Sequence, residues 1–234
     1  MTDDSLRHGK YRHEFKYAVN ECQIEVIKAN LENIMYRDAH ASESSGVYNI
    51  RSVYFDDYYD SCFHENENGT DPREKYRIRI YNASTEYIAL ELKRKVSGMT
   101  QKDSVSITFE QASDVINNRF DSIFGDSVPL LNKFYTWCAT RAASPKVIVE
   151  YDRVAYVYPD GNVRITFDRN IRSSDNVESF FDERIPERPV MPTGMHVMEV
   201  KYDEILPDFI YNAIQIDSLR QITFSKYYLS RNIV

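Results

Sequence analysis

The chain has 234 residues, of which 42% are hydrophobic and 13% aromatic, which suffices for one well-formed core in a single domain spanning residues 1–234. Its formal net charge of −7 argues against a nucleic-acid partner, because nucleic-acid binders usually show a basic balance. No run of about 18 apolar residues occurs and the polar start is no secretory signal, so we expect a cytoplasmic protein without a membrane segment.

The predicted elements alternate between strands and helices along the whole chain. Hydrophobic periodicity and turn signals predict eight strands, at residues 11–19, 47–56, 74–82, 86–96, 103–109, 146–158, 162–169 and 195–203. Helical spacing predicts helices over 21–37 and 110–140 and a helical tail after Pro207 that includes 224–228. Polar composition predicts connections at 41–46 and 66–72 and a long crossing loop at 172–192.

Five of the strand segments place charged residues at every second position. They lie at residues 12–16, 76–80, 90–95, 163–168 and 198–201. Residues two apart share one face of a strand, so Arg77 lies beside Arg79 and Glu199 beside Lys201. One such strand is typical of an ordinary solvated face, but five that repeat Arg and Lys with single Glu residues between them indicate a surface that converges on a polyanion.

The order of the elements predicts an α+β protein built on an eight-stranded antiparallel β-barrel with flanking helices. In a closed barrel of eight strands one face of every strand points inward, and such an interior holds a small ligand. We expect the charged faces to point inward and the apolar faces to pack outward against the helices. A basic tunnel would then lie inside an acidic protein.

Arginine and lysine are the residues that suit a chain of phosphates. The Arg guanidinium donates hydrogen bonds to two oxygens at once, and Lys supplies a mobile point charge. The candidates on the alternating faces and their neighbours are Arg12, Lys16, Arg77, Arg79, Lys93, Lys95, Arg153, Arg164, Lys201 and Lys226. The alternative to an anion site for the pair Arg77 and Arg79, and for the pair Lys93 and Lys95, is an ordinary strand face exposed to solvent.

Four carboxylates share these faces, namely Glu14, Glu91, Asp168 and Glu199. Mg²⁺ and Mn²⁺ are bound by one or two carboxylates together with substrate phosphates. Glu199 is the preferred metal ligand because apolar residues precede and follow it in the sequence. The alternative for Glu199 is a salt-bridge partner. We expect Glu14 to pair with Lys16, and Glu91 with Lys93 or Lys95.

The sequence resembles a known family, the polyphosphate polymerase domain of the vacuolar transporter chaperone (VTC) complex, within the triphosphate tunnel metalloenzyme (CYTH-like) superfamily. The residues that carry the resemblance follow the family order along almost the whole chain: Arg12-His13-Glu14-Phe15-Lys16-Tyr17, Ser52-Val53-Tyr54-Phe55-Asp56, Tyr76-Arg77-Ile78-Arg79, Glu91-Leu92-Lys93-Arg94-Lys95, Val149-Glu150-Tyr151-Asp152-Arg153, Arg164-Ile165-Thr166-Phe167-Asp168, Met198-Glu199-Val200-Lys201 and Phe224-Ser225-Lys226.

The resemblance implies an ATP:polyphosphate phosphotransferase whose tunnel binds ATP and inorganic polyphosphate with a divalent metal, Mn²⁺ or Mg²⁺. It implies catalytic roles for Arg77, Arg79, Lys93 and Arg164 and a metal-binding role for Glu199. Phosphate-binding roles would fall to Arg12, Lys16, Lys95, Lys102, Arg153, Lys201 and Lys226.

One position departs from the superfamily pattern. The superfamily opens with Glu-x-Glu-x-Lys, and here Arg12 replaces the first Glu before Glu14 and Lys16. This departure weighs against a hydrolase that positions water with paired carboxylates and favours a polymerase. An inorganic triphosphatase or nucleoside triphosphatase with the same fold and a non-catalytic polyphosphate-binding domain are the alternatives.

Overall fold

The computed structural model describes residues 6–38, 46–216 and 219–233. Residues 41–45 of the predicted polar connection lie outside the described residues. In the described part of the chain, eight strands are at least eight residues long, and they lie at β2 (His13–Asn20), β4 (Val47–Asp56), β5 (Arg73–Tyr81), β6 (Ser84–Val96), β7 (Met99–Ile107), β8 (Ser144–Tyr158), β9 (Val163–Ser174) and β11 (Met195–Tyr202).

The remaining elements are short strands and helices. The short strands are β1 (Leu6–His8), β3 (Tyr36–Arg37), β10 (Arg188–Pro189) and β12 (Arg220–Gln221). The helices are α1 (Glu21–Leu31), α2 (Ser61–Glu67), α3 (Phe109–Ile116), α4 (Pro129–Arg141), α5 (Asp208–Ile214) and α6 (Lys226–Arg231). No helix in the described ranges is both long enough and apolar enough to span a membrane.

The strands form one antiparallel sheet in which the eight long strands follow each other in the order β7-β6-β5-β4-β8-β9-β11-β2. The two ends of this series are joined by an isolated bridge, in which Arg12 and Thr100 exchange backbone hydrogen bonds of 2.8 and 2.9 Å. The predicted antiparallel α+β architecture is therefore confirmed. Closure of the ladder into a complete barrel stays a prediction, because regular pairing does not extend beyond this single bridge.

The first helix is shorter than predicted. Asn20 caps it, since its side chain accepts the N–H of Gln23 while the Gln23 side chain accepts the N–H of Asn20. The prediction that the helix extends to residue 37 was wrong, because α1 ends at Leu31. Tyr36 and Arg37 pair with the edge of β8 instead, so tertiary strand pairing overrides the helical spacing beyond the helix end.

Other boundaries also differ from the predicted ones. Helix α2 occupies 61–67, partly within the predicted loop, because the buried carboxylate of Asp56 accepts the N–H groups of Cys62 and Phe63 at 2.9 and 3.0 Å. The predicted helix over 110–140 is split into α3 and α4. The predicted loop over 172–192 begins inside β9, and the helical tail is split, so that Phe224 and Ser225 precede α6.

The outer face of the sheet carries the apolar core. Ile78, Leu90 and Leu92 pack in one cluster with residues of α3 and α4, such as Val115 and Phe134. A second cluster joins the outer faces of β9 and β11 to α1 and α5. The helices therefore cover the apolar face, and the charged residues of the five alternating segments are left on the opposite, inner face, where a third apolar cluster also lies.

Candidate functional site

Two adjoining cavities lie on the inner face of the sheet. The large cavity has a volume of about 690 Å³ and the small cavity one of about 230 Å³. Their walls share Glu14, Arg77, Lys93, Glu199 and Lys226, so one polar lining passes from one cavity into the other.

All twelve site residues predicted from the sequence line these cavities. The large cavity is lined by Arg12, Arg79, Lys102, Arg153, Arg164 and Lys201, the small cavity by Lys16 and Lys95, and both cavities by Arg77, Lys93, Glu199 and Lys226. The structure therefore brings these residues together along one lining. Their roles toward a ligand stay a prediction.

A group of alternating charges occupies the centre of the lining. Lys93 donates to both carboxylate oxygens of Glu14 at 2.7 and 2.8 Å, and Lys16 lies 3.2 Å from the same carboxylate. Lys201 donates to Glu199 at 2.8 Å and lies 3.7 Å from Glu14. The predicted pairing of Glu14 with Lys16 is confirmed, and Lys93 is its second partner.

Helix α6 contributes its first residue to the same centre. The ammonium of Lys226 lies 2.5 Å from Asp168 and 3.2 Å from Glu199, and all three side chains are buried. Asp168 also forms a two-point ion pair with Arg153, at 2.6 and 2.8 Å. Because both carboxylates are paired with cations on two sides, the buried charges are compensated.

The third buried carboxylate, Glu91, has partners other than the predicted ones. Arg77 lies 2.6 Å from it, Lys102 donates at 2.7 Å, and Arg79 lies 3.5 Å away. The prediction that Glu91 pairs with Lys93 or Lys95 was wrong. Those lysines share its strand face, whereas the cations that reach it come from the flanking strands β5 and β7.

The protonation equilibria of the central groups follow from this arrangement. Burial alone would raise the pKa of Glu199, but Lys201, Lys226 and Lys16 hold that pKa well below its ordinary value. The pKa values of Glu14 and Glu91 are lowered in the same way by their cations. Burial, together with nearby Lys16, lowers the pKa of Lys93 to about 7 despite Glu14.

Two predicted arginines of the large cavity are held by acidic residues at its margin. Arg12 lies 3.0 Å from Asp203, which balances its charge. Arg164 forms an ion pair with Asp38 and donates to the Tyr48 hydroxyl at 3.0 Å. Both arginines are therefore oriented before any ligand binds.

The sequence interpretation missed several residues of the lining. Arg73 and Lys75 line the small cavity, and they extend the every-second-residue pattern of Arg77 and Arg79 toward the start of β5. This extension was visible in the sequence. Tyr54 and Tyr151 were also missed as site residues, and no charge pattern pointed to them, although their hydroxyls accept from Arg77 at 2.9 Å and Arg79 at 3.3 Å.

Few side chains of this site are placed to act as ligands of a divalent ion. Within the described ranges, no group of three or more His, Cys, Asp or Glu side chains is arranged to hold a metal. Glu199 accepts from Lys201 and Lys226, yet a carboxylate offers about four lone-pair sites. Its oxygens therefore fit an ion whose other ligands are substrate phosphates and water, as is usual for Mg²⁺.

Comparisons with known proteins give one family match and several similar structures. The VTC domain model matches residues 11–234. A Hippeastrum protein, described as an adenylyl cyclase candidate with a dominant triphosphatase activity, aligns with a TM-score of 0.55 and 11% identity over 95% of this chain and 96% of that chain. An adenylate cyclase candidate from Bacillus halodurans aligns with a TM-score of 0.49 and 12% identity over 88% and 86% of the two chains.

The first of these alignments shows a shared fold at low sequence identity. No curated protein matches the chain. The family model spans nearly the whole sequence and includes every predicted site residue. The chain therefore belongs to the VTC domain family.

Proposed function

We propose that this protein is a polyphosphate polymerase that transfers the γ-phosphate of ATP to a growing inorganic polyphosphate chain inside its basic lining. One observation carries the proposal. Among the described residues, fourteen Lys and Arg but only three Glu line the two connected cavities, in a chain whose net charge is −7. Such a concentration of positive charge in an acidic protein fits a dense, elongated anion.

The lining suits phosphoryl transfer by alignment and charge neutralisation. Arg77 and Arg79 project from β5, Lys93 from β6 and Arg164 from β9, so cations approach a central ligand from several strands. A terminal phosphate is largely ionised near neutrality, with a second pKa of about 6 in phosphoesters, and serves as nucleophile without a dedicated base. Fixed cations around the transferred group then stabilise the transition state.

The proposed cofactor is Mn²⁺ or Mg²⁺, with Glu199 as its protein ligand. When bound, such an ion neutralises phosphate charge. Lys201 and Lys226 hold the Glu199 carboxylate in the ionised form that metal binding requires. The same two lysines also face the large cavity, where they would contact phosphate oxygens.

The test is synthesis of polyphosphate from ATP by the wild-type chain and by Arg79→Ala and Lys93→Ala. We expect both variants to lose synthesis. Lys28→Gln is the matched control, because Lys28 lies in α1 and pairs with exposed Glu25 at 2.9 Å. Unchanged product formation in both Arg79→Ala and Lys93→Ala would contradict the proposal.

A triphosphatase is the second candidate. The Hippeastrum protein with the similar fold is described as having a dominant triphosphatase activity, and Glu14 and Glu199 lie near each other, with Lys201 in reach of both carboxylates. Such a pair would orient a water molecule. Orthophosphate released from tripolyphosphate, with no long-chain product from ATP, selects this function. Binding without either reaction selects a polyphosphate-binding domain.

A further inference from the structure

The hydroxyl of Tyr54 lies beside Arg77 in the wall of the small cavity. Tyr54 is directly opposite Arg77 in the pairing of β4 with β5, and the register of β4 against β8 shifts immediately after it. A register shift of this kind, as at a β-bulge, re-aims a side chain and is common next to active sites. Only 6% of Tyr54 is exposed, yet it is among the residues that line the small cavity. Its hydroxyl is therefore placed to meet a ligand there.

This hydroxyl accepts a hydrogen bond but donates none within the protein. Its oxygen accepts from Nη1 of Arg77 at 2.9 Å, and in the described ranges of the chain no protein oxygen accepts its proton. By contrast, the hydroxyl of Tyr227 donates to the carboxylate of Asp56. A phenol is a donor as well as an acceptor. The proton of Tyr54 is therefore available to an acceptor in the cavity.

The charges around the Tyr54 phenol make it a better donor. Burial alone would raise its pKa, but Arg77, Arg79 and Lys226 lower that pKa below the ordinary value of 10. Tyr227 shows the opposite case, because burial and its carboxylate partner raise its pKa. A hydrogen bond from a hydroxyl to an ionised oxygen is short and strong. The surroundings of Tyr54 thus suit donation to an anion.

Arg77 can contact an anion at the same point. Its Nε and Nη2 lie 2.7 and 2.6 Å from the buried Glu91 carboxylate, and its Nη1 donates to Tyr54. A guanidinium carries five N–H donors, so these three contacts leave further donors for a phosphate oxygen. Arg77 and Tyr54 both line the small cavity. One bound phosphate group can therefore accept from the guanidinium and from the phenol together.

We infer that Tyr54 is a phosphate-binding residue whose hydroxyl donates to a phosphate oxygen of the substrate while it accepts from Arg77. This inference rests on the proposed function and adds an uncharged ligand to the cations of the lining. The hydroxyl also gives Arg77 a second acceptor beside Glu91, on the side of the guanidinium that faces Tyr54. A neutral donor adds affinity for the anion without adding a charge that the empty site must compensate.

The test measures the tripolyphosphate affinity of the full chain by isothermal titration calorimetry. In Tyr54→Phe we expect the affinity to fall roughly tenfold, because a hydrogen bond to a charged oxygen is lost. Tyr228→Phe is the matched control and should keep the wild-type affinity, since Tyr228 lines neither cavity and its hydroxyl lies 3.4 Å from Glu67. Thermal unfolding verifies the fold of both variants.

Monofluorotyrosine at position 54 distinguishes a donor to the ligand from a mere support of Arg77. Fluorine makes the phenol a stronger hydrogen-bond donor and a weaker acceptor, while the ring and the hydroxyl stay in place. At about pH 6, where ¹⁹F NMR verifies that the phenol is protonated, we expect a higher tripolyphosphate affinity than in the wild-type chain. A lower or unchanged affinity, or wild-type affinity in Tyr54→Phe, would overturn the inference.

Synthesis of polyphosphate from ATP by the wild-type chain is measured separately. If the wild-type chain makes no polyphosphate while both changes at Tyr54 alter tripolyphosphate affinity in the expected directions, the polymerase proposal fails and the Tyr54 contact stands. If the wild-type chain makes polyphosphate while neither change alters that affinity, the polymerase proposal stands and the Tyr54 contact fails.

Discussion

Lys93 on β6 forms a two-point ion pair with Glu14 on β2, although β7 and the Arg12–Thr100 bridge separate these strands. The pair therefore links the two ends of the strand series across the inner face. Thr100 supports it by donating its hydroxyl to Glu14 at 3.3 Å. An anion that binds at the centre must compete with Glu14 for Lys93, and the lowered pKa of Lys93 gives the site its expected pH dependence.

Anion affinity should decrease as the pH rises above about 7. The pKa of Lys93 is lowered to about 7 by burial and by Lys16 and Lys201, against the opposite influence of Glu14 and Glu199. A bound anion raises this pKa, so binding takes up a proton at a pH between the free and bound values.

Calorimetry of tripolyphosphate binding at about pH 8, in buffers that differ in ionisation enthalpy, measures this uptake. Lys93→Arg keeps a permanent charge, so we expect the variant to show less proton uptake and a flatter pH dependence than the wild-type chain. Equal proton uptake by the two proteins would show that Lys93 is already charged before binding.

Arg77→Ala should lower stability as well as abolish synthesis. Arg77 donates to buried Glu91 and to the Tyr54 hydroxyl, and its loss leaves Glu91 with Lys102 and Arg79. We expect the free energy of unfolding to fall by about 1–3 kcal/mol, below the cost of a fully unpaired buried charge.

Urea unfolding measures this loss, and Arg119→Ala is the matched control. The Arg119 side chain is 62% exposed and pairs with Asp114 on the surface, so its removal should cost less than about 0.5–1 kcal/mol. Equal stability of wild-type and Arg77→Ala chains would mean that the Glu91 network does not hold the fold together.

Lys226→Met should strengthen Mn²⁺ binding in the absence of nucleotide. Lys226 lies between Asp168 and Glu199, and its removal increases the negative charge around both carboxylates. Titration of free Mn²⁺ by electron paramagnetic resonance measures the change, which we expect to be several-fold or more. Lys133→Met is the control, because Lys133 pairs with Glu74 on the surface. An unchanged Mn²⁺ affinity in Lys226→Met would show that Glu199 is not the metal ligand.

Tyr227→Phe should loosen the helix that carries Lys226. The Tyr227 hydroxyl donates to the fully buried carboxylate of Asp56 and accepts from Arg231 at 3.2 Å. We expect a loss of about 1–2 kcal/mol in the free energy of unfolding, together with weaker tripolyphosphate binding. In Tyr228→Phe, which removes a 3.4 Å contact with Glu67, both quantities should stay close to wild type. If the two variants behave alike, the Asp56 contact does not anchor α6.

The protein should lose stability in acid. The folded-state pKa values of Glu14, Glu91 and Glu199 lie well below the ordinary value of 4.5, so the unfolded chain binds more protons on acidification. The stability that these groups contribute is present above that value and is lost as the pH falls through their folded pKa values. Urea unfolding between about pH 7 and pH 3 measures whether the free energy of unfolding falls as the pH falls. A constant free energy of unfolding over that range would contradict it.

The sequence was sufficient to predict which charged strand residues share a face, but it did not reveal that Tyr54 and Tyr151 belong to the lining. The period of two in a strand determines that Arg77 and Arg79, or Glu199 and Lys201, share a face, and this geometry is independent of tertiary context. The identity of ion-pair partners depends on strand order instead. Lys93 reaches Glu14 because the two ends of the series of long strands meet, and no local pattern encodes that meeting.

The positions at which helices begin and end were also not predictable from the sequence. Helix α1 ends at Leu31 because residues 36–37 pair with β8, and α2 forms where buried Asp56 caps it. Both outcomes depend on partners distant in the sequence. Lys226 was among the predicted phosphate-binding residues, but its position between Asp168 and Glu199 depends on the packing of α6 against the sheet.

The central claim is tested most directly by following the γ-phosphate of radiolabelled ATP during incubation of the wild-type chain with Mn²⁺. The account predicts label in a ladder of long polyphosphate chains on a gel, with one ADP formed for each phosphate incorporated and little labelled orthophosphate. Label recovered as orthophosphate, with ADP formed but no long-chain product, would contradict it.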